Sequence, residues 1–504
     1  MILDRTGDFS FHQETIAKLV NWKPPARYWK KVENENFGKM AHSIDVTLIE
    51  NCHWFERMWV VQEVCAADFA SILVAGTSIS LDDFLRAYCY LHYTLNVPIR
   101  NFRKLIGLEK IRQGWNNGKR HPLLSLIREC RQRQATDPRD KIYSLLGLMG
   151  DTMNQYLKPD YKKPVAEVYA NASLHFITQS ESLDPLCGWQ SEGRQAELPS
   201  WVPDYNLNQE LVAVPLVAID SAESIFNASG YDARVKLMQP DISVAKFPVS
   251  IDWRHFPTKG LVIDSIALLS GAADSGENFG DIENKWLHTI FKASGLLKEI
   301  SQKARSSLEQ VSAVVAKYSY YWNTIGGIAS RSSLHVASEL DSSPEASVLI
   351  SEEPANNGKQ DALEPIAESY ISTLLCGRIS PDERLTSKNI IDILSFIFSA
   401  HHSTTDASTA HNLQICKSLN AGMKHRKLAI SNSGHMCAVP KEAREADLLC
   451  VLFGCSVPVV LRRLAGKRDE YAFIGECYLH GFMDAEAIVL ERKGRLVVDE
   501  FKLS

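Results

Sequence analysis

Apolar residues in the first part of this chain recur mostly at helical spacing, and in the last part they gather into strand-length blocks. Trp54, Met58, Val61 and Cys65 fall at i, i+4, i+7 and i+11, which predicts a short amphipathic helix over Trp54–Ala67. Before it, residues 1–50 hold a helix-like segment around Glu14 to Val20, a Pro24-Pro25 break and a polar, aromatic-rich loop. After it, Ala70 to Ala75 reads as a strand and Gly76 and Thr77 as a turn. Ser80-Leu-Asp-Asp83 then reads as a helix start, with Ser80 as N-cap of a helix near Leu81 to Leu95 whose Tyr88, Tyr90 and Tyr93 pack inward. Pro122 to Cys130 is helical by pattern. Further on, Asp137 is placed to cap, Pro138 to take the first helical position and Asp140 to sit in the positive first turn, with Ile142, Leu145 and Leu146 facing a core and Gly147 ending the helix. Pro164 opens another helix to about Ile177, burying Val165, Val168, Tyr169 and Leu174. The prolines and aromatics of Leu198–Tyr205 predict a rigid, docked connection in extended conformation.

From about 209 to 275 the apolar runs shorten and are broken by Pro, Gly and Asp, and Lys259–Leu269 alternates like a strand. Residues 282–325 return to helical spacing through Trp286, Ile290, Phe291, Leu297, Ile300 and Leu308. Residues 336–370 turn acidic and rich in Ser, Pro, Asn and Glu, a composition that buries too little apolar area to offset ordering, so a disordered loop is expected. A helix near Ile390 to Ser399 precedes three strands, within Asp447–Gly454, Val457–Arg462 and Tyr471–Gly481. Alternation from Phe473 to Leu479 predicts one buried face, as in a small barrel or meander.

Composition narrows the class. The 504 residues suffice for about two to four domains. With 45% hydrophobic and 23% charged residues the chain reads as an ordinary soluble globular protein. A net charge of −5 gives no reason to propose nucleic acid or an anionic membrane as partner. The basic run Arg128 to Arg133 reads as the wet face of a helix. Eleven cysteines without a Cys-x-x-Cys pair, mostly inside apolar runs, suggest buried reduced thiols and a cytoplasmic setting. No signal-peptide pattern opens the chain, and no stretch approaches the ~20 apolar residues of a membrane span.

The densest candidate chemistry is on the first helix, where Arg57, Gln62 and Glu63 place a cation, an amide and a carboxylate beside the indoles of Trp54 and Trp59. Such a wall suits an aromatic base or a sugar; the plainer reading is a core helix with solvated charges. Arg139 and Asp140 either line a site or clamp two helices together, and the clamp is favoured. His401, His402, His411 and Asp406 lack metal-ligand spacing and read as a solvated loop. Glu476, Cys477 and His480 suggest a Cys–His nucleophile, but on a strand Cys477 and His480 point to opposite faces. Phosphate-cradling, nucleophile-elbow and zinc-helix motifs are absent, so neither a resident cofactor nor a metal is implied.

Trp54-Phe-Glu-Arg-Met-Trp-Val-Val-Gln-Glu-Val64 resembles the signature of the fungal heterokaryon incompatibility family, the HET domains. Ala135–Leu148, Pro159–Tyr169 and Leu198–Tyr205 resemble its later blocks. Lys259–Leu269, Gly454-Cys-Ser-Val-Pro-Val-Val-Leu-Arg462 and Gly475-Glu-Cys-Tyr-Leu-His-Gly481 resemble stretches that follow HET domains. The resemblance implies a partial HET domain over 1–206; composition and pattern then divide the rest into a mixed strand and helix region over 207–335, the acidic loop at 336–370, and a helix plus a β-rich module over 371–504. The fold expected is thus α/β with a remotely TIR-like N-terminal domain, then a mixed α+β region ending in a small antiparallel module. The longer N-terminal block usual in the family is not matched, so the chain looks N-terminally truncated, with Met1–Asp4 as the remnant of a strand.

The function the family implies is triggering of cell death when genetically unlike hyphae fuse. A protein partner or self-association would carry it. Through the TIR likeness, an alternative is cleavage of NAD, with Glu63 as the catalytic carboxylate four residues after Trp59, Trp59 bordering the pocket and Arg57 meeting a phosphate. A lone carboxylate without loops to orient a dinucleotide weighs against that alternative. A decayed paralogue that does neither is the third reading.

Overall fold

The computed structural model describes residues 2–3, 53–74, 77–81, 102–149, 157–189, 193–207, 214–217, 224–230, 252–271, 369–380, 383–386, 389–390, 418, 421–467 and 469–504. The helix-like segment at 14–20, most of the helix expected at 81–95, the helical region at 282–325, nearly all of the acidic stretch 336–370, the helix near 390–399 and the histidines at 401, 402 and 411 fall outside them. The chain divides into two compact units, Met1–Phe176 with Tyr205–Glu210, and Ile177–Asp204 with Leu211–Ser504.

In the first unit the Trp-rich stretch is not one helix. A 3-10 turn at His53–Glu56 is followed, after a break, by α1 (Trp59–Cys65). The break is made by a strand-like bridge between Arg57 and Gln134. Met58 N–H donates to the Gln134 carbonyl at 2.9 Å, and Gln134 N–H donates to the Glu56 carbonyl. Groups that a continuous helix would satisfy internally are thereby claimed from outside. The stripe survives this: Met58, Val61 and Cys65 are buried together with Phe55, Val60 and Val64, and only Trp54 of the expected four is half-buried.

The strand expected after α1 is β2 (Ser71–Val74), which pairs in parallel with β1 (Ile2–Leu3). Thr77, expected in the turn, instead opens a return strand, β3 (Thr77–Ser80), antiparallel to β2. Helix α2 (Phe102–Asn116) has no counterpart in the sequence reading and buries Leu105, Leu108 and Ile111. Helix α3 (Leu123–Cys130) buries Leu123, Leu126, Ile127 and Cys130 at helical spacing.

The basic run at the end of α3 and just beyond it is buried rather than wet: Arg128, Arg131 and Arg133 are each under a tenth exposed. Arg133 explains how charge is tolerated there. Its guanidinium donates to the Phe55 carbonyl at 2.6 Å and the Lys104 carbonyl at 2.7 Å, on the 3-10 turn and on α2. Burial pushes Arg131 down to about 10.

Beyond the short α4 (Asp140–Tyr143), α5 (Val165–Ser180) follows Pro164 as expected. Val168 and Tyr169 are buried and Val165 and Leu174 half-buried, but Ala166, Ala170, Ala172, Ser173, His175 and Phe176 are buried too, so the helix is covered on more than one stripe.

The second unit is organised by one strand, β4 (Phe256–Leu269), the segment read as alternating from Lys259. Its partners lie far along the chain: β7 (Arg426–Ser431), β9 (Leu448–Leu452) and β13 (Val498–Leu503), all antiparallel to it. Between them, β10 (Val459–Arg463) pairs with β9 and with β11 (Glu470–Glu476), and β11 runs parallel to β13. The circuit β4–β13–β11–β10–β9–β4 is therefore closed, a five-stranded barrel. The distal end of β4 leaves the circuit to carry β7, β8 (Met436–Pro440) and β12 (Tyr478–Leu479). A pair, β5 (Arg378–Ser380) and β6 (Glu383–Arg384), and helix α6 (Glu486–Arg492) complete its described elements. The core contains Leu261, Ile266, Val439, Leu449, Val451, Val460, Ile474 and Leu479.

The alternation read into Phe473–Leu479 does not leave one face wet: every residue there is buried. Other segments cover the outer side. Ser200 Oγ accepts from Phe473 N–H at 2.8 Å, Glu476 Oε1 accepts from Leu216 N–H at 2.7 Å, and Phe226 lies against Tyr478. The Pro-rich stretch at 198–205 is docked as expected but turned rather than extended: Val202 N–H donates to the Pro199 carbonyl, and Trp201 stacks 5.2 Å from Phe256.

Two constraints give testable consequences. A Cβ on Gly260 would lie 2.5 Å from the Val451 carbonyl oxygen and 2.9 Å from Leu452 Cα, at the seam that closes the barrel. Gly260→Ala is expected to cost about 1–3 kcal/mol in urea unfolding. Arg426 and Glu476 form a buried pair at 3.2 Å, and Arg426 also donates to the Gly422 carbonyl at 3.1 Å and the Val214 carbonyl at 2.7 Å. Glu476→Ala strands that cation and is expected to cost about 3–5 kcal/mol by the same measurement.

Candidate functional site

Several polar side chains of the N-terminal signature stretches meet around the first turn of α4. Asp137 Oδ1 accepts from the Arg139 N–H at 3.0 Å, a bond in the turn before the helix rather than the cap expected of it: α4 starts at Asp140, with Arg139 at the N-cap position and Pro138 outside the helix. The same carboxylate holds the Arg139 side chain through Nε at 2.9 Å and Nη2 at 2.8 Å. Arg139 Nη1 then donates to the carbonyls of Lys163, at 2.9 Å, and Tyr161. The expected Arg139–Asp140 clamp between two helices is not what forms: the carboxylate partner of Arg139 is Asp137, and what Arg139 fastens is the loop before α5.

Asp140 has two partners of its own. Oδ2 accepts from Trp59 Nε1 at 2.9 Å and Oδ1 from the Tyr161 hydroxyl at 2.6 Å. Partial burial and the facing carboxylate push the Tyr161 phenol up to about 12. The Tyr143 hydroxyl lies 3.2 Å from the Asp160 carbonyl, and the Tyr169 hydroxyl donates to the Pro138 carbonyl at 2.7 Å. Tyr205 closes the set, its ring 5.1 Å from Tyr169 and its hydroxyl 2.8 Å from Ser173 Oγ. Stretches 54–64, 135–148, 159–169 and the end of 198–205 thus meet through named polar and aromatic contacts.

Of the three residues singled out by type, Trp59 is half-buried with its indole N–H given to Asp140, while Glu63 and Arg57 are exposed. Trp59 and Glu63 stand one turn apart on α1. Gln62 has a packing role: a Cβ on Gly147 would lie 2.9 Å from its side chain, and Gly147 sits in a 3-10 turn at Leu146–Leu148. Gly147 is therefore small because α1 passes close to it, not because it ends a helix in the left-handed region. Tyr161 and Tyr143 are not singled out in sequence, and Tyr169 only as a buried position, although Tyr161 lies between two prolines in a stretch resembling the family, which marks it.

In the second unit, Cys477 is fully buried and its thiol is held well above the ordinary range by that burial and by neighbouring thiols. His480 hydrogen-bonds the Tyr478 hydroxyl at 3.1 Å, and Glu476 is committed to Leu216 and Arg426. Among the described residues no three His, Cys, Asp or Glu side chains are grouped to hold a metal, and no helix is long and apolar enough to cross a membrane.

Comparison with known proteins agrees with this architecture. Residues 396–497 match the Het-6 β-barrel domain, which covers β7 to α6 but neither β4 nor β13. The chain is 21% identical over 487 residues to heterokaryon incompatibility protein 6, OR allele, of Neurospora crassa, covering 86% of this chain and 64% of that protein. The chain therefore spans less than two thirds of the curated relative it matches. No solved structure matches. At its C-terminal barrel and along most of its length the chain is thus similar to proteins of heterokaryon incompatibility.

Proposed function

We propose that this protein acts in heterokaryon incompatibility, promoting regulated cell death through self-association or a protein partner in the cytoplasm, with the HET-type domain over 1–206. The observation that carries the reading is the use made of the signature side chains. Trp59, Asp137, Arg139, Asp140 and Tyr161 satisfy one another and nearby carbonyls, so the stretches that mark the family brace a scaffold rather than converge on a substrate. The Neurospora relative's name supports the biological setting. The alternative, NAD cleavage through Glu63, draws its support from the exposure of that carboxylate one turn from Trp59.

The two readings separate in a fungal cell. Induced expression is expected to arrest growth and admit a vital dye, and Glu63→Ala is expected to leave both effects unchanged. Loss of killing in a folded Glu63→Ala protein, together with nicotinamide release by the wild type, would replace the assembly reading with the enzymatic one. Asp140→Ala removes acceptors for Trp59 and Tyr161 and is expected to cost about 1–3 kcal/mol of stability and to abolish killing. A protein that kills normally without Asp140 would contradict the bracing role.

A further inference from the structure

Eight cysteines among the described residues are buried and not in disulfides, and two of them touch: Cys187 Sγ and Cys455 Sγ lie 3.6 Å apart across a separation of 268 residues. The segments that carry them are fastened on both sides. Leu183 N–H and Ser182 Oγ each donate to the Gly454 carbonyl at 2.8 Å. From the other direction, Ser456 donates to Asp184, through N–H to Oδ1 at 2.7 Å and through Oγ to Oδ2 at 2.8 Å. The two segments are thus held together beside the sulfurs by four hydrogen bonds, which keeps the thiols in van der Waals contact; a disulfide would draw them in to about 2.05 Å.

We infer that Cys187 and Cys455 are a modification site, a thiol pair that a peroxide-class oxidant converts to a disulfide joining the segment at 182–187 to the turn at 453–456. One thiol, as thiolate, attacks a peroxide oxygen; the O–O bond breaks and leaves a sulfenic acid and water. The second sulfur then attacks the sulfenic sulfur, the S–O bond breaks, and a second water leaves. Two thiols lose two electrons and two protons, and one hydrogen peroxide takes them up. The bond closes a long loop around the barrel and constrains the unfolded chain more than the folded one. The contact with Cys455, and burial, hold the Cys187 thiol well above its ordinary range, so oxidation waits on local opening and is slow in the resting protein.

The test is peptide mapping of the full chain after hydrogen peroxide treatment, with alkylation in denaturant before digestion. The expected result is a cross-linked peptide carrying Cys187 and Cys455, absent after dithiothreitol and absent in Cys187→Ser and Cys455→Ser. Oxidised wild type is expected to unfold at higher urea than reduced, with the difference erased by dithiothreitol. Recovery of both residues as free thiols, as separate sulfinic acids, or in disulfides with Cys437, Cys450 or Cys477 would overturn the inference. The wild-type map decides this even where a serine variant fails to fold.

Discussion

The second unit depends on β4 reaching its partners. This one strand supplies the antiparallel neighbour for β9 on one side and β13 on the other, and then runs on to pair with β7. Without it β9 and β13 would each present an open edge, a row of unpaired N–H and C=O groups. The seam is tight enough that Gly260 sits against the Val451–Leu452 backbone, and a register shift between Val262 and Asp264 lets the strand pass from one set of partners to the next. The matched barrel region begins at residue 396, so the closing strand comes from outside the part of the chain that the family match covers.

In the first unit a different economy holds. Carboxylates at 137 and 140, the Arg139 fork and the hydroxyls of Tyr161 and Tyr169 tie three separated stretches together by charge-assisted or side-chain-to-carbonyl hydrogen bonds. Arg133 extends the same device to the backbone at Phe55 and Lys104. These bonds join elements of which two, α1 and α4, are too short to be stable as isolated helices.

What was legible in the sequence follows from how each element is stabilised. Strands β9, β10 and β11 are buried, apolar and bounded by turn residues, and they stand out as runs. Strand β13 hides because Asp499, Glu500 and Lys502 are exposed and only Phe501 and Leu503 mark its inner face. The break in the Trp-rich helix was out of reach, since the Gln134 backbone that makes it lies far along the chain and carries no pattern of its own. The burial of Arg128, Arg131 and Arg133 was misread for a related reason: a basic run looks solvated until the carbonyls that receive it are known. At the candidate site the residue types of Trp59, Arg139 and Asp140 were visible, but not their pairing, which depends on Tyr161 and Asp137 arriving from neighbouring turns.

The claim on which this account of the barrel rests is that β4 closes it, and hydrogen exchange on the full chain tests this most directly. Amides in 256–265 are expected to be protected to the same degree as those of β9 and β13 and to open with them in one cooperative step. Rapid exchange across 256–265 while β9, β10 and β11 stay protected would mean that the barrel holds without this strand, and would contradict the account.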